Sequence, residues 1–227
     1  MTSQSISDGL RTAVTDLPET SPETDRQGKK RKNSQDRIFR SAVSVLAQKG
    51  YHNTRITDIA RHAGVAYGLV YHYFGSKQNI LEVILNEVGL RFNERLDRIA
   101  ADEGNVREKL GRVADYMFDS YLANEDMIHL LVNEVVHGPG TERGIEIASD
   151  LIGRISRMIS EGVQDGELHP GLEPQVIALS FFGSVQMLLT SLVAGYYDRR
   201  GQKRIAIVKS LKQQVRLLLQ NGSYGSL

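Results

Sequence analysis

Apolar positions in this chain recur at three- and four-residue steps almost from end to end, the period of amphipathic helices, and no segment alternates as a half-buried strand would. Ser34 is suited to capping a first helix, in which Ile38, Ala42, Val45 and Leu46 form the buried stripe and Lys49-Gly50 the stop. Thr54 to Phe74 reads as two short helices. Ser76 caps the next, whose stripe of Ile80, Leu81, Ile84, Val88 and Phe92 continues to about Ala100. Asn105-x-x-Glu108 is a capping box that opens a helix through Leu122. Asp126 to His137 predicts a shorter helix stopped by Gly138-Pro139-Gly140, and Thr141 to Gln164 a longer one with Ile145, Ala148, Ile152, Ile155 and Ile159 inward. Glu173 to Tyr197 is apolar almost all round, so it needs a partner on both sides. Ile205 to Leu219 closes the series. The pattern predicts an all-α protein of about nine helices.

Residues 1–33 have few large apolar side chains and no period, so they are expected to be disordered without a partner. The organisation is then a basic-ended arm at 1–33, a three-helix unit at 34–80, a helical body at 81–220 and a flexible tail at 221–227. Charge changes the reading of the arm. Acids dominate residues 1–25, whereas Arg26, Lys29, Lys30, Arg31, Lys32, Arg37 and Arg40 stand against Asp36 alone just ahead of the first stripe. Such a run suits phosphate neutralisation, or simply a solvated linker. The chain has no cysteine, which excludes disulfides, thiol catalysis and cysteine-ligated metals. No run of about 18 apolar residues and no basic-then-apolar leader is present, so a soluble cytoplasmic protein without membrane contact is expected.

The most informative stretch is Thr57 to Lys77. Ile59, Ala60 and Ala63 share one apolar face, Gly64 can take the positive φ that ends that helix, and Val65 starts another after a tight turn. This is a helix-turn-helix, whose second helix fits the DNA major groove. Thr57, Ile59-Ala60, Ala63-Gly64-Val65, Gly68, Tyr71, Tyr73-Phe74 and Ser76-Lys77 resemble the signature of the TetR (tetracycline-repressor-like) family of bacterial transcriptional regulators. The likeness is detailed over residues 34–85 and extends beyond them only in length and helical character. It implies an N-terminal three-helix helix-turn-helix domain and a C-terminal helical ligand-binding and dimerisation domain. It also implies a homodimeric repressor released from double-stranded operator DNA by a small-molecule inducer.

Each expected contact has its chemistry. Ala66, Tyr67 and Gly68 begin the reading helix, Ala66 and Gly68 leaving room for close approach. Tyr67 and His72 suit base edges or a thymine methyl; Tyr71 and Tyr73 have hydroxyls for phosphate. Lys77 offers an ammonium to phosphate, and Thr57 is expected to cap its helix and touch the backbone. Phe74 reads as core. In the body, Phe92, Tyr116, Met117, Tyr121 and Phe181 are large, adaptable residues suited to a pocket for a hydrophobic, possibly acyl-type ligand, with Glu134 at a polar end. The helix of Glu173 to Tyr197 and the one that follows are expected to form half of a four-helix dimer interface.

Asp126-x-x-His129 and Glu134-x-x-His137 each share a helix face, but they do not converge from facing helices, so no metal and no cofactor are expected. Two other readings compete: an all-α enzyme, or a protein-interaction module without DNA binding. The first lacks His-Glu-x-x-His, Gly-x-Ser-x-Gly and a phosphate loop, so no enzyme is expected.

Overall fold

The computed structural model describes residues 22–133, 142–168, 171, 173–197 and 202–221. These form nine helices and no strand: α1 Pro22–Asn53, α2 Ile56–Ala63, α3 Tyr67–Phe74, α4 Lys77–Ala101, α5 Val106–Ala123, α6 Glu125–Leu131, α7 Glu142–Gln164, α8 Pro174–Val193 and α9 Gln202–Asn221. The expected all-α fold is what the chain adopts.

Two cores organise the helices. The smaller gathers Ile38, Ala42, Val45 and Leu46 of α1, Ile59, Ala60 and Ala63 of α2, Val70 and Phe74 of α3, and Ile80, Leu81, Ile84 and Leu85 of α4. The larger joins Leu96 and Ile99 of α4 to buried residues of α5 through α9, including Phe118, Ile155, Phe181 and Val208. A single continuous helix, α4, therefore serves the head with its first half and the body with its second. Helix α6 makes the other junction. Its Ile128 lies in the body's core, while Leu130, only 1% exposed, completes the head's.

Local signals account for most boundaries. Ser76 Oγ accepts the Asn79 N–H at 3.0 Å to open α4, as expected. At α5 the capping box is reciprocal: Glu108 N–H donates to Asn105 Oδ1 at 3.0 Å, and Asn105 N–H to Glu108 Oε2 at 3.2 Å. Asn124 ends α5 and caps α6 by accepting the Met127 N–H at 3.1 Å.

Four expectations change. Helix begins at Pro22 rather than Ser34, so the basic run of 26–32 lies on α1; proline at the first helical position and acids in the first turn favour that start, and packing from Ile38 onward supplies the nucleus. Helix α8 ends at Val193, short of Tyr197. Gly195 takes φ 81°, and Tyr196 N–H donates to the Ser191 carbonyl at 3.1 Å, a glycine-terminated turn that the apolar run conceals. Ile145 is exposed, and the inward stripe of α7 runs instead through Leu151, Ile155, Met158 and Ile159. Lys212 and Arg216 of α9 pair with Asp119 and Asp115 of α5. The second half of the helix expected from Asp126 to His137 lies outside the described residues.

Candidate nucleic-acid interface

The head presents α3 at the surface. Val70 and Phe74 point into the core, while Ala66, Tyr67, Gly68, Tyr71 and His72 are exposed and Tyr73 is half-buried. Positions 67, 68, 71 and 72 form one face of a helix. Tyr67 and Tyr71 are 50% and 58% exposed, and their rings stack on each other with centroids 6.3 Å apart. Nothing in the fold requires two large rings there.

The turn that aims α3 is fixed locally. Gly64 takes φ 62° and ψ 41°; its N–H donates to the Arg61 carbonyl at 3.2 Å, and Val65 N–H donates to the Ala60 carbonyl at 3.0 Å. This double bond satisfies the end of α2 and turns the chain sharply into α3. Gly68 is different. It has no positive φ, and a Cβ built on it meets nothing within 4 Å.

Thr57 does not cap α2. The N-cap is Arg55, whose backbone N–H donates to Asp58 Oδ2 at 3.1 Å, so the acid at the third helical position takes the part assigned to threonine. Thr57 lies exposed in the first turn, open to a ligand. Asp58 also meets Lys49 Nζ at 3.1 Å and the Arg61 guanidinium at 3.7 Å. The Arg55 N–H, followed by the Lys49 ammonium and then Arg61, holds its carboxyl below the usual value.

Lys77 departs from expectation as well. Its ammonium reaches back to α1, donating to the carbonyls of Tyr51 at 2.5 Å and His52 at 3.4 Å, and lies 4.2 Å from the centre of the Tyr51 ring. Two of its three N–H groups are thereby engaged within the protein. Sequence reading missed these fasteners. Asp58 carried a signal, an acid three residues after the cap position; the pairing of Lys77 with Tyr51, 26 residues apart, carried none.

In the body, Met117, Tyr121 and Phe181 lie in the large core with Phe92 packed against it. Phe92 and Tyr116 rings stand 4.8 Å apart, and Tyr121 is fully buried with its hydroxyl 3.5 Å from Glu125 Oε1. Glu134 lies outside the described residues. A recess of about 400 Å³ between α7 and α8 is lined by Ser149, Ile152, Gly153, Ser156, Gln175 and Leu179, none of them expected pocket residues. Helix α8 is long and apolar enough to cross a membrane, yet Ile177, Ala178, Phe181, Val185, Leu189, Leu192 and Val193 face the core. Its opposite side leaves Val176, Leu179 and Met187 exposed, and α9 leaves Ile205 and Leu218.

Two family models match the chain, one described as bacterial regulatory proteins of the tetR family over residues 38–84, the other as a tetracyclin repressor-like C-terminal domain over residues 107–191. The fatty acid metabolism regulator protein of Bacillus subtilis (strain 168) is 30% identical over 159 residues, 69% of this chain and 81% of that protein. The HTH-type transcriptional regulator BetI of Stenotrophomonas maltophilia (strain R551-3) is 23% identical over 180 residues, 75% of this chain and 88% of that regulator. Among solved structures, FadR from Bacillus subtilis in complex with stearoyl-CoA matches with a TM-score of 0.72 and 26% identity, covering 85% of this chain and 99% of that one. FadR from Bacillus halodurans matches with a TM-score of 0.71 and 25% identity over the same shares.

Proposed function

This chain belongs to the tetR family of bacterial regulatory proteins, and from that premise we propose a homodimeric transcriptional repressor whose hold on operator DNA is released by a small ligand carrying an acyl chain. The observation that carries the reading is the outward face of α3, where Tyr67, Gly68, Tyr71 and His72 stand clear of the core on a helix held by a fixed turn. Major-groove reading needs such a helix, with its first residues toward base edges. Tyr67 and His72 reach bases; Ala66 and Gly68 allow the close approach. Thr57, Tyr71 and Tyr73 supply hydroxyls for phosphate, which sets register without reading sequence.

The dimer is supported by the exposed apolar residues of α8 and α9. A second copy related by two-fold symmetry buries both patches against themselves, which also answers why so apolar a helix as α8 has one bare side in a cytoplasmic protein. The acyl preference is supported by the stearoyl-CoA bound to the Bacillus subtilis structure and by the adaptable residues Phe92, Tyr116, Met117, Tyr121 and Phe181 around the body's core, with Glu134 toward a polar end. Coupling runs through α4 and α6, because each contributes to both cores.

The test is capture of genomic duplex fragments by the full-length protein over a range of salt, with stearoyl-CoA then added. Enrichment of one palindromic sequence, a log K that falls with log salt, and release on adding the acyl ligand are expected. Fragments captured without sequence preference reject the operator reading, and binding indifferent to stearoyl-CoA rejects the acyl ligand. Sedimentation of Met187→Glu checks the dimer. A charge at that apolar patch should weaken self-association at least about tenfold while leaving the helical signal intact.

A further inference from the structure

The end of α1 is a complete hydrogen-bonding unit. The last turn of a helix leaves carbonyls that no helical N–H can take. Here Asn53 Nδ2 donates to the Lys49 carbonyl at 3.2 Å, Thr54 Oγ1 to the Gly50 carbonyl at 2.8 Å, and Thr54 N–H to the Tyr51 carbonyl at 3.3 Å. Lys77 supplies the rest, with its ammonium on the carbonyls of Tyr51 and His52 and over the Tyr51 ring. A cation is favoured at a helix C-terminus and at a ring face, and a half-buried position screens both interactions less than open solvent does.

Lys77 is the first residue of α4, and the same turn holds the reading helix. Asn79 Nδ2 donates to the Phe74 carbonyl at 2.8 Å, closing the end of α3. The first turn of α4 thus grips α1 through Lys77 and α3 through Asn79. We propose that Lys77 is a positioning residue for operator recognition. Its hydrogen bonds set the angle at which α3 leaves the head, and its charge is not a phosphate contact. This deepens the DNA-binding reading and rests on it.

The test measures binding of full-length Lys77→Met and Lys77→Gln to the captured operator and to a scrambled duplex, over a range of salt, at a temperature where circular dichroism shows each variant folded. Lys77→Met keeps the stem but no donor, and should lose at least about tenfold on operator and clearly less on scrambled DNA, with the wild-type salt slope. Lys77→Gln keeps a neutral donor and should recover part of the loss at the same slope. A slope shallower by about 0.9, with equal losses on both duplexes, marks a lost phosphate contact and overturns the proposal. Unchanged operator affinity in Lys77→Met overturns it too. Should Lys77→Met not fold, the slope of Lys77→Gln decides. A wild-type protein that retains no duplex defeats the DNA-binding reading itself.

Discussion

The head and the body are built from the same kind of helix but specified in different ways. In the head, short-range chemistry does most of the work: a glycine turn between α2 and α3, an acid three residues past a cap, a serine opening α4, and a few apolar residues per helix closing a small core. In the body, long stripes from six helices fill a large core, and the pairing of those helices depends on contacts distant in sequence, such as Arg204 of α9 with Glu125 of α6 at 3.1 Å. The difference teaches where function is readable. A unit fixed by local rules leaves few ways to orient its exposed face, whereas a packed core hides which of its residues part for a ligand.

The contrast breaks first at Leu130, which belongs to the body by sequence and to the head by burial. Leu130→Ala should destabilise the protein by about 2–5 kcal/mol in urea unfolding, the usual cost of removing a buried leucine from a core that cannot fully collapse. Ile128→Ala, two residues earlier and in the body's core, should cost a similar amount. The two should part company on DNA, with operator affinity falling much further for Leu130→Ala. Equal losses would mean that α6 does not seat the head.

How far the sequence spoke follows the same line. The reading helix, its glycine turn, the Ser76 cap and the Asn105/Glu108 box were all legible, because each is a pattern within four residues. The end of α8 was not, since an apolar run masks a terminating glycine when no polar residue flanks it. The start of α1 was misjudged for a related reason. A charged segment with no apolar stripe reads as disordered, although lysine, arginine and glutamine are good helix formers once a packed neighbour has nucleated the helix. Lys77 stayed hidden because its partners are carbonyls, which no side-chain pattern announces. The expected ligand residues did fall in or against one core, but composition alone does not separate wall from filling.

Gly68 sharpens the comparison, because it is a feature of the head that the fold does not need. With ordinary φ and open space around the missing Cβ, Gly68→Ala should raise stability by up to about 0.5–1 kcal/mol, alanine being the better helix former. The same methyl group stands on the face proposed to meet DNA, so operator affinity should fall at least about tenfold. Thermal unfolding and a binding isotherm on one preparation suffice. An alanine variant that is more stable and binds as well as wild type removes close approach at Gly68 from the reading.

The smallest expected effect tests whether local chemistry alone fastens the head. The folded-state value of the Asp58 carboxyl is lowered, first by the Arg55 N–H and then by Lys49 and Arg61. A carboxylate with a depressed value contributes stability that is fully present above its unfolded value and is lost as pH falls through the folded one. Asp58→Asn keeps an acceptor for the N–H but loses the charge, so it should melt lower than wild type near neutral pH, and the gap should close in acid. Added salt should shrink the part owed to Lys49 and Arg61 and leave the part owed to the short backbone contact. A gap that stays constant from neutral to acid would show that the charge of Asp58 contributes nothing, and that the start of α2 is held by packing, as the body is.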